Sequence, residues 1–385
     1  MTTHVFIVDE TTFKIHLEYM FAGTGASDKD VDFNNSSSTA LYAGRKYQGE
    51  NNLIGMMADG CRIRRNDFII FYVQAAQKKE GKFFGIFQAI DNGIFLDRLD
   101  GEQFLYNELR KSLTFRLKIR PYHVYAKGVT EWTALDEIKH ITYPHQMLWS
   151  LIYRKLRALR GNTMITTYEA KRLTRLIKIE NEQRELDLLN KRLTYNPNTQ
   201  CITTTEDVFE YTGRTECLNI LPRLIAKYNR NLAHEAHLQM YITQNLGLGT
   251  NETLDRALGI SNKNIVWLGN EVACGVGMQR IDIMFSIESN AEQILFPIEL
   301  KSVYANPDNL RQLTRYLDWI EQYYIPNNEC TIQPVLLCKG GAPLTPEMRD
   351  KIVQFNRRWG ILPLKYIEYT ISNNNIVFNL MEYQQ

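Results

Sequence analysis

The sequence predicts a multidomain chain of β and α/β type, with a small N-terminal β-barrel, a helical connector and a C-terminal α/β domain. Three observations carry that expectation. Up to about Ile141 the segments VFIV, DFIIFYVQ, GKFFGIFQAI and LTFRLKIRPYHVY are rich in β-branched and aromatic residues and punctuated by Gly, Asn and Asp, the composition of short strands joined by turns. From Pro144 the apolar residues recur at three- and four-residue intervals, the period of a helix that buries one stripe. Beyond the polar loop TYNPNTQ, strand-like and helix-like segments alternate, which implies a sheet covered by helices. A chain of 385 residues has room for two or three domains with separate cores. The boundaries read as 1–141, 142–200 and 201–385.

In the first region, many short strands close most economically as a barrel, because closure leaves no unpaired edge. The stretch FAGTGASDKDVDFNNSSSTALYAGRKYQGENN is rich in Gly, Ser and Asn and too irregular for a strand or helix. A loop of that length inside a compact domain is functional or disordered. In the connector, HQMLWSLIYRKLRAL sets Leu148, Leu151, Ile152 and Leu156 on one stripe, and YEAKRLTRLIKIENEQRELDLLNKRL continues the helical period. Between them Gly161 is a helix stop, and Thr166 or Thr167 an N-cap ahead of Glu169. The exposed face of this pair would carry Arg154, Lys155, Arg157, Arg160, Lys171, Arg172, Arg175 and Lys178. Such a face is either ordinary solvated surface or a phosphate contact. The third region reads as helix LAHEAHLQMYITQNL, strand NIVWLG, a hairpin, helix NLRQLTRYLDWIEQYY, strand TIQPVLLCKG, helix TPEMRDKIVQFNRRWG and a last strand pair, LKYIEYTI and NIVFNLME.

Lys and Arg number 45 against 43 Asp and Glu, a net charge of +2, so any nucleic-acid surface must be local. The six cysteines are scattered, with no CxxC pair and no histidine at zinc-finger spacing, as expected of reduced thiols. MTTHVFIVDE lacks a basic stretch followed by an apolar core, and no run of about 18 apolar residues occurs. A cytoplasmic protein is the expectation.

The chemistry concentrates in the hairpin QRIDIMFSIESNAEQILFPIELKS, an apolar strand pair that nevertheless carries Asp282, Glu299 and Lys301. Burying a charge is costly unless it is paired or binds a metal. Strand alternation puts Glu299 and Lys301 on one face, and pairing across the ESNAEQ turn brings Asp282 beside them. Two close carboxylates suit Mg²⁺, with Mn²⁺ able to substitute. The adjacent lysine can steady an activated water and the charge that builds on a phosphate. Gln312 and Tyr316 stand four apart on a helix face that can look toward this strand, and Glu235 could add a third carboxylate. The plainer alternative is a salt-bridge cluster on an exposed strand face. Cys274 reads as a strand-end thiol, and His234 and His237, which flank Glu235 and could touch the site, read as helix-surface residues.

With RID at 280–282, ELK at 299–301 and QLTRY at 312–316, the chain resembles the PD-(D/E)xK nuclease superfamily. Over about residues 231–369 it looks most like the C-terminal domain of NucS-type (EndoMS) endonucleases, and it shares the Q-xxx-Y element with RecB-type nucleases. The resemblance implies metal binding by Asp282 and Glu299 with the Leu300 carbonyl as a further ligand, catalysis by Lys301, and support from Glu235, Gln312 and Tyr316. Pro297 departs from the pattern and predicts a bulge or an edge at that point, because proline cannot donate to the ladder.

The N-terminal region, about residues 3–141, resembles the EVE/YTH branch of PUA-like barrels. Carrying the likeness are the basic turn before Asn66 and Asp67, the strands FIIFYVQ and GIFQA, and the closing FRLKIRP and GVTEW. Such barrels look like readers of a single base taken out of the stack. The resemblance makes Tyr42, Tyr47, Tyr122 and Trp132 candidates for base stacking, against the alternative of barrel-core or surface aromatics. Arg62, Arg64 and Arg65, with Arg116 and Arg120, are candidates for phosphate contact, against scattered surface arginines.

Together these implications describe a Mg²⁺-dependent DNA endonuclease of restriction type. It would act on double-stranded DNA as a homodimer, its barrel reading a modified or flipped base. Two alternatives stand beside it: a NucS-like mismatch or branched-DNA repair endonuclease, and a nucleic-acid-binding protein whose nuclease fold is inactive.

Overall fold

The computed structural model describes residues 1–25, 50–76, 79–146, 161–274, 279–289, 292–325, 330–358, 360–372 and 374–383. They divide into two compact units, the first holding the described residues up to Leu218 apart from 143–145, the second Asn219–Gln385. The chain is mixed α/β with several sheets.

The first unit contains β1 (Thr3–Val8), α1 (Glu10–Glu18), β2 (Phe21–Thr24), α2 (Glu50–Cys61), β3 (Phe68–Val73), β4 (Lys82–Ala89) and β5 (Phe95–Leu96). The short α3 (Tyr106–Leu109), β6 (Phe115–Pro121), β7 (Val129–Thr130) and α4 (Glu131–Asp136) follow. The unit ends with β8 (Asn162–Ile165), α5 (Thr167–Glu180), β9 (Arg192–Asn196), β10 (Cys201–Thr205) and β11 (Glu216–Cys217). Strand pairing runs β11-β5-β6-β4-β3-β1-β8, with β2 added to β6 and β7 to β4. Among the described residues this is an open path, not the closed ring of a barrel.

Alternation along the central strands explains why both sheet faces are covered. Phe6 and Val8 of β1 and Ile69, Phe71 and Val73 of β3 enter one core, with Phe13 and Leu17 of α1 and Leu193, Tyr195 and Ile202 of the β9–β10 hairpin. Val5 and Ile70 enter the other, with Leu173 and Ile177 of α5. Strands buried on both faces read as continuous apolar runs rather than alternating ones.

Several elements differ from the sequence expectation. Glu10–Glu18 is a helix, capped by Asp9, whose Oδ1 accepts from Thr12 N at 2.7 Å. Parts of the irregular stretch are ordered too, as β2 and the start of α2; the rest of it, including Tyr42 and Tyr47, lies outside the described residues. So does most of the helix proposed for HQMLWSLIYRKLRAL, with Arg154, Lys155, Arg157 and Arg160. Instead of a separate connector, 162–205 supplies structure to the first unit: β8 pairs antiparallel with β1. Thr166 caps α5 through a capping box with Glu169, as its sequence signal implies. The helix stops at Glu180 rather than running on to Leu193. Asn181 bonds the main chain of Lys127 in both directions, at 2.8 and 2.9 Å, and Glu182 and Gln183 adopt positive φ, so tertiary anchoring overrides the helical period.

The second unit is built from α6 (Leu221–Asn229), α7 (Glu235–Asn245), α8 (Glu252–Leu258), β12 (Ile265–Ala273), β13 (Arg280–Ser289), β14 (Glu292–Leu300) and α9 (Pro307–Trp319). Then come β15 (Cys330–Ile332), β16 (Val335–Lys339), α10 (Pro346–Phe355), β17 (Lys365–Ser372) and β18 (Asn375–Leu380). Its sheet runs β12-β13-β14-β16-β17-β18, with β15 also on β14. α9 buries Leu310, Leu313, Tyr316 and Leu317 at three- and four-residue spacing. β14 is central, not an edge. Pro297 pairs in register with Met284, so it marks no bulge against β13. On the other side of β14, β15 meets 293–295 and β16 meets 298–300, and Pro297 falls in that interruption, where no ladder donor is needed. No described helix is long and apolar enough to cross a membrane.

Candidate active site

The site forms where β13 and β14 part. Their antiparallel ladder ends at Ile283 and Ile298. Beyond it β14 pairs in parallel with β16, Glu299 opposite Leu336 and Leu300 opposite Leu337. The Leu300 N–H donates to Asp282 Oδ2 at 2.8 Å, so the carboxylate takes over where the main-chain ladder stops. Gln239 of α7 donates from Nε2 to the Asp282 carbonyl at 2.7 Å, fixing the same residue from the main-chain side.

Glu299 is completely buried. Its Oε2 accepts from Tyr316 Oη at 2.8 Å, and Tyr316 Oη in turn accepts from Gln312 Nε2 at 2.6 Å. Lys301 Nζ lies 2.5 Å from Glu299 Oε1 and 3.6 Å from Glu235 Oε1. Glu235, in the first turn of α7, also accepts from Ser302 N at 3.4 Å. The hairpin, the helix bearing Gln312 and Tyr316, and the helix bearing Glu235 thus converge as their spacing suggests. Glu235, however, faces the lysine rather than completing a carboxylate triplet. Among the described residues no three His, Cys, Asp or Glu side chains group as a metal site.

The electrostatics are those of crowded like charges. Burial and the neighbouring Glu299 push the Asp282 carboxyl well above its usual range. Burial raises Glu299 as well, against the opposing pull of Lys301 and Tyr316. Burial alone would lower Lys301, but Glu299 and Asp282 outweigh it and hold its ammonium above the ordinary value. An exposed surface ion cluster would show none of this, because solvent screens such pairs. Two partly or fully buried carboxylates beside one lysine are short of positive charge, the situation an oxygen-seeking divalent cation relieves. Asp282, Glu299 and the Leu300 carbonyl could hold such a cation. Cys274 is buried near both carboxylates, its thiol pushed up to about 12 by burial first and their charges second, which keeps it protonated and inert.

Tyr316→Phe removes the hydroxyl that satisfies Glu299 Oε2 and orphans Gln312. Urea unfolding is expected to show a loss of about 1–2 kcal/mol, and a variant as stable as the parent would contradict the bond's importance.

In the first unit the arginines expected at phosphates divide. Arg62 is buried, bonding Asp59 Oδ1 at 2.5 Å and Asn162 Oδ1 at 2.8 Å. Arg116 is buried against Asp97 at 3.0 Å and lies 5.0 Å from the Phe21 ring centroid. Arg172 is buried on Glu137 at 2.8 Å. These three hold the fold together and are withdrawn as phosphate contacts, since each guanidinium is buried and already paired with a carboxylate. Arg64 is half-buried and donates to the Cys61 carbonyl at 2.7 Å, while Arg65 and Lys171 are exposed. Arg120 bonds Gln88 and Asn66. Tyr122 is 46% exposed, its ring 5.2 Å from Phe68, and Trp132 is 56% exposed; neither belongs to the core.

Two contributors escaped the sequence reading. Gln239 had a usable signal, four residues after Glu235 on one helix face. His234, buried, joins Tyr369 Oη at 2.7 Å and the Leu232 carbonyl at 2.8 Å; that it anchors the start of α7 rather than lying on a helix surface had none.

No protein-family model matches the chain, and no curated protein does. Among solved structures, likeness extends to a hypothetical protein from Leishmania major, at 11% identity over 48% of this chain and 98% of that one, with a TM-score of 0.30. A human THYN1 protein in complex with 5-methylcytosine-containing DNA aligns at 7% identity over 44% of this chain and 94% of that one, TM-score 0.25. Pyrococcus furiosus SfsA in complex with Ca²⁺ aligns at 10% identity over 49% and 75%, TM-score 0.21.

Proposed function

We propose that the chain is a Mg²⁺-dependent DNA endonuclease of restriction type, with the hydrolytic centre at Asp282, Glu299 and Lys301. The observation that supports this best is the buried Glu299, bonded by Tyr316 and Lys301 and set beside Asp282 at the point where two strands part. A structural salt bridge has no use for a second carboxylate that raises the proton affinity of the first. Asp282 and Glu299 would hold the cation, with the Leu300 carbonyl. When bound it supplies charge neutralisation at the scissile phosphate and a more acidic water. Lys301 donates to the attacking oxygen or to the phosphate as negative charge builds there. Glu235 holds the Lys301 ammonium from its far side, and Gln312 and Tyr316 fix the Glu299 carboxylate. Gln239 fixes the main chain of Asp282. The first unit would bind duplex DNA through exposed residues such as Arg65 and Lys171, with Tyr122 and Trp132 stacking on an extruded base. Cutting both strands with one centre per chain implies a homodimer.

The test is Mg²⁺-dependent cleavage of matched plasmids that are unmodified or carry 5-methylcytosine, 5-hydroxymethylcytosine or N6-methyladenine, with Asp282→Ala alongside. Discrete fragments on one modified substrate only, lost in the variant, are expected. Cutting of mismatched or branched duplexes alone would favour a repair endonuclease, and binding without any cleavage would leave an inactive scaffold.

A further inference from the structure

Beside the candidate centre lies a group of side chains that the hydrolytic chemistry does not use. Lys339, the last residue of β16, is half-buried. Its Nζ sits 4.6 Å from the Tyr228 ring centroid and 5.9 Å from that of Tyr304, and its hydrogen-bond partner is Asn231 Oδ1 at 3.4 Å. Among the described residues no carboxylate lies within ion-pair distance of it. A lysine held between two aromatic rings is a positive charge kept in place but not neutralised.

Its position relative to the centre is fixed by the main chain. Lys301 N donates to the Leu337 carbonyl at 2.9 Å, and Lys339 N to the Val303 carbonyl at 3.1 Å. The segment leaving β14 therefore continues along β16, carrying Lys301 first and Tyr304 three residues later. Tyr304 is 50% exposed and its neighbour Val303 54%. Tyr228 packs behind, its centroid 5.8 Å from His234 and 6.2 Å from Tyr369.

We infer that Lys339, Tyr304 and Tyr228 form a nucleotide shelf for the strand being cut, with a backbone phosphate on Lys339 and an unstacked base on the open face of Tyr304. The inference rests on the nuclease reading for the identity of that strand. A fixed ammonium next to an exposed aromatic face is the pairing that binds single-stranded nucleic acid, charge tracking the backbone and the ring taking a base of any sequence. It also predicts a preference for substrates whose strand is unpaired or easily opened next to the scissile phosphate.

The experiment uses the full-length Asp282→Asn chain, which leaves the strand uncut, and an oligonucleotide of about 20 nucleotides carrying 5-iodouracil at every thymine. Irradiation should join the strand to Tyr304, located by mass spectrometry of the peptide. Adding Lys339→Gln should weaken formation of that adduct about tenfold and lower its log-log salt dependence by about one. Absence of an adduct on Tyr304, or an adduct whose yield and salt dependence ignore Lys339→Gln, overturns the shelf. Because the adduct reports only this site, DNA bound elsewhere on the chain does not mask it. Plasmid cleavage by the parent chain is scored separately: adduct without cleavage keeps the shelf and removes the nuclease, and cleavage without adduct does the reverse.

Discussion

Lys301→Met is expected to lower Mg²⁺-dependent cleavage by at least about a thousandfold, with DNA binding retained. The lysine lies between Glu299 and Glu235, and its charge is favoured by those same carboxylates and by Asp282 against burial. It therefore remains an ammonium throughout the working pH range and can only donate or stabilise charge, not act as a base. Methionine keeps the length and apolar stem but removes the donor. The substitution also strips Glu299 of its cation, and breaking a buried pair costs about 3–5 kcal/mol, so unfolding curves and DNA binding must be recorded beside activity. A folded, DNA-binding Lys301→Met chain that cuts within about tenfold of the parent would remove Lys301 from the mechanism and leave it a structural counter-ion.

The candidate centre was legible because its chemistry conflicts with its surroundings. Asp282, Glu299 and Lys301 stand out in a hairpin whose other residues, Ile283, Met284, Phe285, Phe296 and Ile298, are buried and apolar. Gln312 and Tyr316 follow at the spacing of one helix face; Tyr316 reaches Glu299 and Gln312 holds the Tyr316 hydroxyl. What could not be read was direction. Glu235 turns to Lys301 and the Ser302 N–H, a choice made by how α7 approaches the sheet and not by any local spacing.

Legibility of the fold follows the same division. Strands and helices of the second unit were readable because each carries its own period and turn signals. α6 and α8 were not anticipated, the latter although Asn251 caps it and Gly259 closes it at φ +72, because nine and seven residues are too few to show a helical period. In the first unit β1, β3, β4 and β6 were readable, and the remaining strands and the architecture were not. β1 pairs in parallel with β3, about sixty residues on, and again with β8 from the supposed connector; strand composition contains no information about such partners. The buried arginines failed for a related reason. Arg62, Arg116 and Arg172 look like surface charges until Asn162, Asp97 and Glu137 are brought to them by the fold.

Asp282→Asn should make the metal-free protein more stable while abolishing cleavage. Both carboxyls are held above their ordinary range, Asp282 by burial and Glu299, Glu299 by its own burial. The folded chain therefore keeps protons that the unfolded chain releases. As pH rises from the ordinary carboxylate range through the raised folded values, the unfolded state loses its protons first, and the pair's contribution to stability falls across that window. Asparagine removes one of the two charges, and its side-chain oxygen can still accept the Leu300 N–H that now bonds Asp282 Oδ2. At neutral pH without divalent metal, the variant is expected to exceed the parent by about 1–3 kcal/mol in urea unfolding. At about pH 3 most of that gain should vanish, because the parent's pair is then largely protonated in both states. Other carboxyls, such as Asp9 and Glu137, are shifted downward and give the whole protein an opposite trend. The difference between variant and parent cancels them. Millimolar Mg²⁺ should raise the Tm of the parent and leave Asp282→Asn nearly unmoved, since a ligand stabilises only a fold that binds it. A variant less stable than the parent at neutral pH, or Mg²⁺ shifts of equal size in both, would mean that Lys301 alone already balances the pair and that Asp282 and Glu299 hold no cation.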